Sequence, residues 1–126
     1  MKKAFGIYIN CASFPFIAWI LSGEKLYETR TRNTLRALIG QHVYLVETGH
    51  GQPIIKARAT IASAELVTYS DRRKRARAKI TGTTYDVKPG CAKWFYKLED
   101  VEPLTAPIQV PTKRENHGRA WTAWEA

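Results

Sequence analysis

Residues 3–10 alternate apolar and polar positions, with Phe5, Ile7 and Ile9 on one side, and this predicts a half-buried strand. The next apolar run does not alternate. Phe14, Phe16, Ile17, Ala18, Trp19, Ile20 and Leu21 go almost all the way round a helical wheel, so residues 14–22 predict a short helix packed from several sides. Ser13 can cap its start, Pro15 suits its first turn, and Gly23 suits a left-handed exit. Over residues 25–30 the period returns to two, placing Leu26, Glu28 and Arg30 on one face and Lys25, Tyr27 and Thr29 on the other. Glu28 and Arg30 are then neighbours, and Lys25 joins them only if the turn at Gly23 swings it inward.

Downstream, Asn33 can cap a short helix over 34–39 that stops at Gly40 and feeds a strand over 41–48. The run Gly49-His50-Gly51-Gln52-Pro53 is a turn. A long strand over 54–67 follows, with Ile55, Ala57, Ala59 and Ile61 inward and Lys56, Arg58 and Thr60 outward. Ser70 with Asp71 can start a helix, read as a helical turn from Asp71 to about Ala76, although residues 75–80 alternate well enough for a strand. Pro89-Gly90 turns the chain into a strand over 93–100 with Trp94, Tyr96 and Leu98 on one face. Prolines at 103, 107 and 111 predict that 103–118 is an extended wrapping segment, and residues 118–124 form a last strand. The sum is one α+β domain over 1–126: a mostly closed sheet of five or six strands with two or three short helices. Its expected core is Phe5, Ile7, Ile17, Trp19, Leu21, Val43, Leu45, Ile61, Trp94, Tyr96 and Leu98.

Charge changes the picture from fold to partner. Twenty Lys and Arg against eleven Asp and Glu give a formal charge of +9 and a pI near 9.8, which points to an anionic partner, by default nucleic acid. Arg72, Arg73, Lys74, Arg75, Arg77 and Lys79 repel one another unless an anion meets them, so this run is a candidate phosphate-tracking surface. With no aromatic interleaved it would position RNA without reading bases, Tyr69 and Tyr85 flanking it. Cys11, Cys91, His42, His50 and His117 show neither a disulfide framework nor metal-ligand spacing, so a reducing cytoplasm, no metal and no cofactor are expected. Lys2 and Lys3 before an apolar stretch imitate a secretory signal, but Asn10, Pro15 and the charges after Gly23 argue against one. No segment reaches the roughly 20 apolar residues of a membrane span, so a soluble protein without a membrane partner is expected.

The candidate chemistry sits after the first helix. Lys25 can hold a phosphate or a developing oxyanion, and Glu28 beside it can act as a general base or accept from a base edge. The plainer alternative is that Glu28 and Arg30 neutralise each other at an exposed rim. His117-Gly118-Arg119 is a further candidate for the cleft wall, and Tyr27, Thr84 and Tyr85 can supply a hydroxyl acid.

Gly23, Lys25, Glu28 and Arg30, a GxKxxExR spacing behind a short helix, resemble the ASCH family, relatives of the RNA-binding PUA fold. The resemblance extends over nearly the whole chain, from the strand before the helix to the aromatic strand around 93–98. It implies a PUA-like β-barrel that binds RNA or a nucleotide at a basic cleft on its rim. Lys25, Arg30, Arg72, Arg73, Lys74, Arg75, Arg77, Lys79 and Arg119 are the binding candidates. It also implies an enzymatic alternative, since some ASCH proteins resemble amidohydrolases of N4-acetylcytidine and others metal-independent ribonucleases. The amidohydrolase pattern has a threonine nucleophile three residues after the lysine, where this chain has Glu28. A ribonuclease, with Lys25, Glu28 and Tyr85 as the catalytic candidates, is therefore the better-matched enzyme.

Overall fold

The computed structural model describes residues 2–78 and 86–126. Lys79, Thr84 and Tyr85 lie outside the described residues, and with them part of the basic run and two of the candidate hydroxyls. Among the described residues seven strands form one mixed sheet: β1 (Lys3–Asn10), β2 (Tyr27–Arg30), β3 (His42–Thr48), β4 (Ile54–Thr68), β5 (Ala92–Gln109), β6 (Glu115–His117) and β7 (Trp121–Glu125). The helices are α1 (Phe16–Ser22) and α2 (Arg72–Arg77), with one 3-10 turn at Arg36–Leu38. Strand order is β2-β5-β4-β3-β1-β7-β6, and only β1 and β3 run parallel. The class is α+β, as the periodicities predict.

The expected closed sheet of five or six strands is corrected to an open one of seven. The edges are β2 and β6. The extra length comes from β5, which continues through residues 103–109 and pairs with the first half of β4, so this part of the proline-bearing segment is strand. Pro103 sits beside Ala57 close to one of three register shifts between the two strands, where a missing N–H is tolerated. Beyond it, β6 and β7 make a hairpin turned by Gly118 at φ 62°.

Inward residues of β1, β3, β4 and β5 surround the main core: Ile7 and Ile9, Val43 and Leu45, Ala57, Ala59 and Ile61, Tyr96 and Leu98. Helix α1 closes it with Ile17 and Ile20, and the 3-10 turn with Leu35 and Leu38. The helix is less enclosed than its apolar wheel predicts. Leu21 is 37% exposed and Trp19 half-buried, because only one side meets the sheet while Trp19 packs with Phe14 and Phe16. Phe5 and Trp94 are also partly buried against the core. Pro15, with no side-chain cap, holds the N-cap position expected of Ser13, while Gly23 takes the left-handed exit at φ 83°.

Tyr96 ties strand to loop: its hydroxyl donates to Asn33 Oδ1 at 2.7 Å and accepts from Leu35 N at 3.2 Å. This occupies Asn33, which does not cap the 3-10 turn. Tyr96→Phe removes the acceptor of a buried amide and is expected to cost about 1–3 kcal/mol, measured by chemical denaturation.

Candidate functional site

The charged residues after α1 fold around one carboxylate. The strand expected over 25–30 begins only at Tyr27, so Lys25 lies in the turn that precedes it and the two-residue parity does not apply. The Lys25 amide bonds back to Trp19 O at 3.0 Å, which folds the chain over the end of α1. Its ammonium then turns inward, donating to the Tyr27 carbonyl and to Glu28 Oε1 at 3.2 Å. Oε1 also accepts from the Thr29 amide at 3.1 Å, and Oε2 from Arg30 Nη2 at 2.9 Å.

This is a buried site, not the exposed rim pair that remained open from sequence: Lys25 is 1% and Glu28 6% exposed. Burial pulls the Glu28 carboxyl upward, but Lys25 and Arg30 outweigh it and hold it below its ordinary range. Burial pushes the Lys25 ammonium down, with Glu28 opposing. Glu28 is thus an ionised anchor with both oxygens occupied, a poor general base.

Arg30 also makes the join between β2 and β1. Pairing of β7 with β1 runs out at Ile7 opposite Trp121, and the next amide, Tyr8 N, still bonds Ala120 O at 3.1 Å. The Tyr8 carbonyl instead accepts from Arg30 Nη2 at 2.7 Å. A guanidinium replaces a strand ladder here, and a cleft of about 450 Å³ remains between the two strands. Asn10, Thr48, Lys93 and Arg119 complete its wall around Lys25, Glu28 and Arg30. Gly49 shapes one end: it has φ 97°, and a Cβ there would lie 2.6 Å from Asn10 Oδ1 and 2.8 Å from Ala12 N.

Lys25, Glu28, Arg30 and Arg119 are therefore brought together. Lys93 joins them although sequence reasoning passed over it as one lysine in an aromatic strand. Burial pushes its ammonium below the ordinary value, and Asp86 opposes this. His117 does not line this cleft; it lies in a neighbouring groove.

The basic run stands apart. It forms α2, with Asp71 Oδ1 accepting from Lys74 N at 3.1 Å as the N-cap. None of its described residues lines the cleft. Lys74 pairs with Glu65 at 3.3 Å and Asp71 at 3.6 Å, Arg75 with Asp86 at 3.3 Å, and Arg77 approaches Glu65 at 3.9 Å. Arg75 also covers the Tyr69 ring at 4.4 Å, so this flanking tyrosine stacks on the protein's own cation. Of the described run, Arg72 and Arg73 are the exposed pair outside these contacts.

Among the described residues no cluster of His, Cys, Asp and Glu could hold a metal ion, and no helix is long and apolar enough to cross a membrane. No protein-family model matches the chain, and no curated protein matches it.

Proposed function

We propose that this protein binds RNA or a nucleotide, with a phosphate seated in the cleft between β1 and β2. One observation carries the proposal. Four cationic side chains, Lys25, Arg30, Lys93 and Arg119, line the cleft, and the one carboxylate among its lining residues, Glu28, is engaged on both oxygens by Lys25 and Arg30. An anion is the complement of such a wall, and about 450 Å³ is within the usual range for small-ligand sites. The net charge of +9 favours encounter with a polyanion.

The same cleft is what supports a relationship to the ASCH and PUA-like proteins, since Lys25, Glu28 and Arg30 meet at it and Gly23 ends the short helix before them. Binding is favoured over hydrolysis because both oxygens of Glu28, the expected proton acceptor, are already engaged by Lys25, the Thr29 amide and Arg30. The test is fluorescence anisotropy of a labelled single-stranded oligoribonucleotide, with the RNA recovered and sized afterwards. Saturable binding that weakens steeply between about 50 and 200 mM salt, with intact RNA, is expected. Absence of binding at the lower salt overturns the proposal, and shortened RNA replaces it with the ribonuclease alternative.

A further inference from the structure

The wall formed by Arg30, Thr31 and Arg119 has a second side. There it borders a groove of about 400 Å³ that continues over Arg32 to His117 and Trp121. Arg30 and Arg119 thus stand between two adjoining hollows, and Arg32 adds a third guanidinium to the outer one.

The far end of the groove is aromatic. His117 and Trp121 are directly opposite each other across the β6–β7 hairpin, and their rings stack with centroids 3.7 Å apart and planes 2° from parallel. Trp121 is held from another direction by the edge of Phe5, with centroids 6.1 Å apart. The imidazole therefore rests on an anchored indole while its own side chain is 45% exposed. Glu115 Oε2 lies 3.8 Å from His117 Nε2, and Glu115 is itself engaged by Lys3 at 3.3 Å.

From this arrangement we propose a second nucleotide subsite, in which a base stacks on the His117–Trp121 pair while the connecting phosphate lies between Arg30 and Arg119. It rests on the reading of the first cleft as a phosphate site. Flat aromatic platforms beside a cationic wall are how proteins hold unpaired bases, whose faces are open; the paired bases of a duplex present only their edges. The ligand class is therefore a single-stranded oligoribonucleotide of at least two residues.

Uridine monophosphate and the dinucleotide UpUp, titrated separately by calorimetry into the full chain and into His117→Ala, test it. The dinucleotide is expected to bind the parent about ten-fold or more tightly than the mononucleotide. His117→Ala should remove most of that advantage while leaving the mononucleotide affinity within about two-fold, and His117→Phe should restore it. Equal affinity for both ligands, or a dinucleotide preference that survives His117→Ala, overturns the second subsite alone. Failure of both ligands to bind the parent overturns the first cleft and the subsite together.

Discussion

Replacing Glu28 by alanine is expected to destabilise the fold by about 3–5 kcal/mol, the usual cost of removing one partner of a buried ion pair. The loss comes from what remains. Lys25, at 1% exposure, would keep the Tyr27 carbonyl as an acceptor but lose the Glu28 counter-charge, and Arg30 would lose the anchor that aims it at Tyr8. The β1–β2 join would loosen with it. Lys25→Met removes the charge and keeps most of the volume while Glu28 retains Arg30 and the Thr29 amide, so it should cost clearly less.

The same group gives a pH signature. Glu28 is held below its ordinary value of 4.5 in the folded chain, so between the two values the unfolded chain binds more protons and stability rises with pH. Its contribution is complete above the unfolded value and is lost as pH falls through the folded one. Lys25 acts at the alkaline end: its folded value is lowered from 10.5, so stability from this group also rises with pH between the folded and unfolded values. Urea denaturation from pH 7 down to pH 3 should show the acid loss in the parent and a much flatter profile in Glu28→Gln. Equal slopes would show that Glu28 is not held ionised by its partners.

Combining Lys93→Met with Arg119→Glu is expected to weaken single-stranded RNA binding by about 100-fold or more. A charge-assisted hydrogen bond contributes about 1.5–3 kcal/mol, and each 1.4 kcal/mol is ten-fold in affinity. Reversal at Arg119 adds repulsion to the loss of attraction. The salt dependence should flatten too, by about 0.7 in log–log slope for each phosphate contact removed from a single strand. Arg119 is exposed on a hairpin turn, and Lys93→Met keeps most of the side-chain stem, so the thermal midpoint should stay within a few degrees. A variant that binds as the parent does would show that these cations are solvated surface.

The strands were legible because one-sided burial writes itself as alternation, as in Ile55, Ala57, Ala59 and Ile61 on β4. The start of α2 at Ser70-Asp71 and the exit of α1 at Gly23 were legible from the end residues themselves, with Asp71 of the first pair making the cap. Long-range closure was not. Whether β2 meets β1 through a ladder or through the Arg30 guanidinium depends on where β7 stops, and no local pattern near Arg30 carries that. The extension of β5 was hidden by its prolines, whose effect on strand depends on bulges set by β4. Glu28 and Arg30 were placed together by parity, whereas Lys25 needed the turn over α1, and Lys93 needed tertiary proximity alone. The basic run looked strongest as a charge count, but its carboxylate partners Glu65 and Asp86 come from segments outside it.

The most direct measurement is amide chemical-shift mapping of the full chain titrated with uridine monophosphate. Concentrated, saturable shifts are expected at Thr29, Arg30, Thr48, Lys93 and Arg119, the wall of the cleft, with α2 at Arg72–Arg77 unmoved. Shifts confined to α2, or scattered over the basic surface without saturation, would contradict a phosphate site between β1 and β2.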